Sequence, residues 1–242
     1  DTLCESSLCG TMRAKDGTLI EVNGTWVPLY RQMLLKDFNV APDTVEDMLV
    51  MGGYEPARTF VLEAVKNGKH VVTANKAMLA TYGNEIFPAA QKKSVDIGFE
   101  ASVGGTIPII KTLKESLVAN KINSIIGIMH GTCNFILTKM TDEAKSFDVV
   151  LKEAQQLGFA EADPTFDIEG IDTSHKMAIV LSLAYGKKVN LKDIYLEGIT
   201  KISGEDIAFA KELGYRIKLL AIGRLRGDAV EARIHPTMIS SG

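Results

Sequence analysis

Apolar and polar positions fall into two alternating periods from Glu46 onward, and the alternation predicts the architecture. The run EDMLVMGG, Glu46 to Gly53, is apolar through its middle and stops at two glycines, as a buried strand entering a loop does. EPARTFVLEAVKNG follows at helical spacing. Ala57, Phe60, Val61, Ala64 and Val65 form one face, with Pro56 at the start and Gly68 just past the end. KHVVTA predicts a short strand, NEIFPAAQKKS a helix opened by Asn84, and VDIGFEAS a third strand. Strand, helix, strand, helix, strand at this spacing predicts a parallel sheet with crossover helices.

The texture changes after Gly104 and Gly105, where we expect two lobes to meet. TIPIIKTLKESLVANK places Ile109, Ile110, Leu113 and Leu117 on one helical stripe. INSIIGIMH predicts a strand, and GTCNFILTKM a helix that starts on a glycine. SFDVVLKEAQQLG predicts a helix with Ser146 as N-cap and Gly158 at its end. Further helices are predicted from about Ile171 to Tyr185 and in SGEDIAFAKELG, which has the S-x-x-D form of a capped start and ends at Gly214. IKLLAIGRL and VEARIHPTM flank RGDA as a hairpin would. Asp1 to Asn39 is weakly patterned, with Gly10, Gly17 and Gly24 in no G-x-G-x-x-G arrangement. The expected fold is α/β: residues 1–104 as a partial Rossmann-like parallel sheet domain, then residues 105–242 as an α+β substrate and dimerisation domain.

Composition narrows the function. The 242 residues are 46% hydrophobic and 24% charged, the usage of an ordinary globular protein. A formal charge of -3 gives no basis for a general polyanion-binding surface, so no nucleic-acid partner is expected. No apolar run reaches the roughly 20 residues of a membrane helix, and no charged-then-apolar leader is visible. Cys4, Cys9 and Cys133 are too few and too irregular for a disulfide framework or a zinc site, which fits a reducing cytoplasm.

Candidate chemistry concentrates in GFAEADPTFDIEGIDTSHK, where Glu161, Asp163, Asp167, Glu169 and Asp172 precede Lys176. Asp172 and Lys176 are four apart and share a helix face. One reading is a surface ion pair worth about 0.3–0.5 kcal/mol. The other is a site for a small cationic substrate, with Lys176 as proton donor to a forming alkoxide. Lys76 follows the strand VVTAN, which sets it at the carboxyl edge of the expected sheet, where open α/β sheets bind ligands. A lysine that merely faces water there is the competing reading. In HGTCNF, His130 and Cys133 suggest a nucleophile with its base, or a small buried thiol beside an ordinary histidine. Gly131 and Thr132 open a helix whose N–H groups could meet a carboxylate. FEASVGGTIP could wrap carbonyls around a cation, or supply glycines to a domain joint.

GGYEPAR, GKHVVTANKAMLA, FEASVGGTIPIIK, LGFAEADPTFDIEGID with its following lysine, and LGYRIKLL, in this order, resemble homoserine dehydrogenase of the bacterial threonine and methionine pathway type. The resemblance spans about Met48 to Met238. It implies NAD- or NADP-dependent interconversion of L-homoserine and L-aspartate 4-semialdehyde, in a cytoplasmic homodimer. It implies Lys76 and Lys176 at the reacting carbon, Asp172 orienting Lys176, and Asp167 on the substrate hydroxyl or its water network. Glu161 would receive the substrate ammonium, with Gly131 and Thr132 near its amino-acid end. Gly52, Gly53, Thr73, Ala74, Asn75 and Lys76 would border the cofactor. Glu100, Val103, Gly105 and Ile107 would hold a monovalent cation, sodium being expected, mostly through backbone oxygens. Two departures stand out: Asp1 to Asn39 lacks the family's glycine-rich turn, and Gly242 falls short of the segment that returns to the nucleotide domain. They raise two other expectations, a fragment that dimerises without holding cofactor and, on Cys133, a cysteine-dependent semialdehyde dehydrogenase.

Overall fold

In the computed structural model, residues 10–13, 19–22 and 54–241 are described. Gly10–Arg13 (β1) and Leu19–Val22 (β2) pair antiparallel, with Gly10 opposite Val22. The weak patterning there does not predict this pairing. The strand expected over Glu46 to Gly53 lies outside the described residues.

Glu55–Lys66 forms α1, with Pro56 in its first turn. Ala57, Val61 and Val65 are buried, but Phe60 is exposed, so the inward face is narrower than the sequence suggests. Val71–Val72 (β3) leads to Lys76–Lys93 (α2). This helix begins eight residues before Asn84, the expected start. Asn75 is the actual cap, its side-chain oxygen accepting the Met78 N–H at 2.9 Å. Pro88 sits inside α2. Ile97–Gly98 (β4) pairs with β3 in the expected parallel sense.

The predicted long helix after Gly105 is broken. Ile109–Lys111 (α3) passes directly into a wider, π-helical turn over Thr112–Ser116, and of the expected stripe only Ile110 is fully buried. Ser124–Gly127 (β5), Gly131–Glu143 (α4), Phe147–Gln156 (α5) and Thr165–Ile168 (α6) follow. Ser146 occupies the N-cap of α5, although its side chain makes no capping bond. Ile171–Tyr185 (α7) has the predicted span. Tyr195–Leu196 (β6) and Gly204–Glu212 (α8) come next, α8 starting on the expected capping box of Ser203 and Asp206. Tyr215–Arg226 (β7) and Ala229–Ser240 (β8) form the hairpin around Gly227 and Asp228. The four-stranded sheet runs β5-β7-β8-β6, with β6 parallel to β8 and the other neighbours antiparallel.

One helix joins the two hydrophobic cores. Met177, Ala178 and Leu181 of α7 belong to the core under the four-stranded sheet, whereas Ile179 and Val180 belong to the core around α1, α2, β3 and β4. An α-helix apolar on both sides must be covered on both sides. Gly223 of β7 makes the approach possible, since a Cβ there would lie 2.7 Å from the Met177 methyl carbon and still closer to Leu181. Between residues 172 and 181 every side chain is buried except Lys176. That exception marks the site.

Candidate active site

The site forms where the first turns of α2, α4 and α7 converge on a cavity of about 650 Å³. Lys76 is the first residue of α2. A cation at a helix start opposes the helix dipole, so an ammonium there needs an anion nearby. Asp172, in the first turn of α7, supplies it: Oδ1 lies 2.9 Å from Lys76 Nζ. Its other oxygen lies 2.6 Å from Lys176 Nζ, one helical turn on. Lys176 Nζ also donates to the Met129 carbonyl at 2.8 Å. Asp172 is only 6% exposed. Burial raises its carboxyl, but the Lys176 and Lys76 ammoniums outweigh burial and hold it below the ordinary carboxylate range. Two lysines 100 positions apart thus share one buried carboxylate. The surface ion-pair reading of Asp172 and Lys176 does not describe this geometry.

Glu161 and Asp167 line the same cavity, as do Gly131 and Thr132 at the first two positions of α4. An added Cβ on Gly131 would meet open space, so the glycine leaves the helix start accessible. The Thr132 hydroxyl donates to the Phe159 carbonyl at 2.6 Å, tying the Glu161 loop to α4. Gln155 Nε2 donates to the Glu161 carbonyl at 3.0 Å and so fixes the same loop from α5. The other two acids of the stretch serve the fold. Asp163 accepts from the Thr165 N–H and hydroxyl, and Glu169 accepts from the Thr200 hydroxyl at 2.9 Å.

His130 and His175 complete the surroundings. The pattern HGTCNF offers His130 as a base for Cys133 or as an ordinary histidine beside a small buried thiol, and nothing in it points to His175. His130 caps α4 through Nδ1, which accepts the Cys133 N–H at 3.3 Å, and its Nε2 points at Asp167 and Asp172. His175 is buried against Tyr54 and Phe166, with ring centroids 6.2 and 5.3 Å away. Burial lowers its pKa and favours the neutral ring. Its Nδ1 and the Thr173 hydroxyl have no partner among the described residues. Unmade bonds of buried polar atoms beside Tyr54 and the Lys76 turn are what a bound polar ligand completes.

Thr73, Ala74 and Asn75 stand at the carboxyl end of β3. The Thr73 N–H bonds to the Gly98 carbonyl, and its hydroxyl accepts the Asn75 N–H at 3.1 Å, which builds the turn into α2. Gly52 and Gly53 lie outside the described residues. Glu100, Val103, Gly105 and Ile107 occupy the tight segment after β4, where Gly104 and Gly105 take φ of 78° and 58°. The Glu100 carboxylate is committed to the N–H groups of Ile110 and Lys111 at 2.9 and 2.8 Å. A cation here would therefore be held by backbone oxygens, and among the described residues no cluster of three or more His, Cys, Asp or Glu could hold a metal. Cys133 is fully buried and its thiol donates to the Asp167 carbonyl at 3.1 Å. Burial first, then the Asp167 and Asp172 charges, push its pKa up to about 12. Full burial and a thiol held protonated make Cys133 a poor nucleophile and argue against the cysteine-dependent expectation.

Two family profiles match the chain: one described as homoserine dehydrogenase, NAD binding domain, over residues 30–100, and one described as homoserine dehydrogenase over residues 108–242. A homoserine dehydrogenase of Neisseria gonorrhoeae is 57% identical over 190 residues, covering 78% of this chain and 44% of that protein. One from Pseudomonas aeruginosa is 50% identical over 206 residues, covering 84% and 48%. The crystal structure of a homoserine dehydrogenase from Thiobacillus denitrificans superposes with a TM-score of 0.78 at 55% identity, over 84% of this chain and 48% of that one. A hyperthermophilic archaeal homoserine dehydrogenase in complex with NADPH gives 0.67 at 27% identity, over 93% and 62%. The chain spans about half the length of the curated relatives it matches.

Proposed function

The chain belongs to the homoserine dehydrogenase family, and from that premise we propose that the full-length protein interconverts L-homoserine and L-aspartate 4-semialdehyde with NAD or NADP. The observation that carries this reading is the sharing of Asp172 by Lys76 and Lys176 at the edge of a cavity that also holds Glu161 and Asp167. The dinucleotide, when bound, exchanges a hydride with the reacting carbon; an NADPH complex is known for an archaeal relative. Its nicotinamide end would border Thr73, Ala74, Asn75 and Lys76, beside His175 Nδ1, which has no partner among the described residues.

The chain's own residues then account for the rest. As the aldehyde is reduced, its oxygen becomes an alkoxide that takes a proton from Lys176 or Lys76. Asp172, bonded to both ammoniums, holds them at the reacting oxygen. Asp167 accepts the substrate hydroxyl. Glu161 pairs with the substrate ammonium, and the Gly131 and Thr132 N–H groups, which have no partner within the helix, meet its carboxylate. A monovalent cation such as sodium would be held by backbone oxygens of Glu100, Val103, Gly105 and Ile107. Residues 1–104 serve the nucleotide, and residues 105–242 serve catalysis and a homodimer interface. The protein would work in the cytoplasm; separately, no helix among the described residues is long and apolar enough to cross a membrane.

The test is an initial-rate assay of the full-length protein with homoserine and each dinucleotide, for the natural protein and its Lys176→Ala and Lys76→Ala variants. Each variant should lose about 10²–10⁴-fold in turnover, the usual effect of removing a positioned proton-transfer group. Near-normal turnover in either variant removes that lysine from the mechanism.

A further inference from the structure

His130 stands in the wall of the cavity, 8% exposed, and uses its two ring nitrogens on opposite sides. Nδ1 accepts the Cys133 N–H at 3.3 Å and closes the first turn of α4. A nitrogen that accepts carries no proton, so in the neutral ring the proton resides on Nε2. That nitrogen lies 3.1 Å from Asp167 Oδ1 and 3.4 Å from Asp172 Oδ2. We propose that His130 is a positioning residue that holds the Asp167 carboxylate at the reacting oxygen, its Nε2–H serving as the donor that fastens the α6 acid to the wall of the site.

The need for such a donor follows from the charges. Asp172 already has two ammoniums, Lys76 and Lys176. Asp167 has neither: its side chain lies on α6, a helix of four residues, with about a quarter of its surface exposed. Two carboxylates meeting one cavity repel, and the one without a cation would turn to water. An Nε2–H placed between them, 3.1 Å from Asp167 and 3.4 Å from Asp172, offsets that repulsion. The Cys133 thiol, donating to the Asp167 carbonyl, fixes the backbone, while His130 fixes the side chain. Capping and clamping are coupled through one ring, so the start of α4 sets where Asp167 points.

The inference rests on the homoserine reading for its kinetic arm alone. His130→Ser keeps a capping oxygen and loses the reach to Asp167. It should retain the thermal midpoint and lose about 10- to 150-fold in kcat/KM for homoserine, the range for a hydrogen bond to a charged group. His130→Asn keeps the cap and restores an amide N–H, and should recover part of that loss. In an Asp167→Ala background His130→Ser should add almost nothing, because the ring acts through that carboxylate. Multiplying losses, or an Asn variant no better than Ser, would overturn the proposal. The second arm needs no turnover: ¹⁵N imidazole spectra of the full-length protein should place the His130 proton on Nε2 and shift on Asp167→Ala. A proton on Nδ1, or a signal indifferent to Asp167, defeats the inference whether or not homoserine is oxidised. If no homoserine is oxidised yet the spectra behave as stated, the functional reading fails and the positioning role stands.

Discussion

Replacing Asp172 by Asn keeps the volume of the side chain and removes the one charge that two lysines share. At an effective dielectric near 20, the contacts at 2.6 and 2.9 Å are each worth about 6 kcal/mol before desolvation. Taking a carboxylate that is 6% exposed out of water cancels several kcal/mol of this. The Lys76 side chain, 34% exposed, recovers part of its hydration when released, which calls for a further discount. About 3 kcal/mol of stability should therefore be lost at neutral pH, at the low end for breaking a buried pair. The sign with pH is definite. The lysines hold the Asp172 carboxyl below its ordinary value of 3.8, so its contribution is present above that value and is lost as pH falls through the folded-state pKa. Denaturant unfolding of the natural protein and the Asn variant should differ by about 3 kcal/mol at pH 7, and the gap should narrow below pH 3.8 as the natural carboxyl protonates. Taking the difference cancels every other carboxylate in the chain. An equal gap at both pH values would show that the Asn variant suffers from packing rather than from lost charge. The homoserine assay on the same variant should fall with Lys176→Ala, since an unanchored ammonium is no longer held at the reacting oxygen.

Three further outcomes follow from other parts of the structure. Cys133→Ser should keep most activity, because the hydroxyl can still donate to the Asp167 carbonyl and hydride transfer needs no thiolate; a trapped thioester by mass spectrometry would refute this. Glu161→Gln should raise KM for homoserine by roughly 10- to 150-fold with little change in kcat, and the effect should shrink for an analogue without the amino group. Equal losses for both compounds would make Glu161 a loop support instead. Gly223→Ala should cost about 1–3 kcal/mol by forcing α7 off the sheet, read as a lower thermal midpoint, and an unchanged midpoint would mean that Met177 and Leu181 move aside freely.

Much of this protein is legible along the chain because many of its signals are local. The Ser203 to Asp206 capping box, the RGDA hairpin and the span of α7 depend on neighbours a few residues apart, and each stands where the pattern puts it. Lys76, Glu161, Asp167, Asp172 and Lys176 are nameable as candidates by type and motif. Their meeting around one cavity is not, because it depends on α7 packing between two cores. Local pattern also misplaces the start of α2: Asn84 is as good a cap by composition as Asn75, and only the turn built on Thr73 selects the earlier one. Of five acids in one stretch, three reach the cavity and two brace loops, a division set by Thr165 and Thr200. For His130 the sequence offers only its place before a helix and beside Cys133, and neither points to a carboxylate partner. Its role is decided by what lies across from Nε2, and those carboxylates come from residues 37 and 42 positions away, brought near only by the packing of α6 and α7.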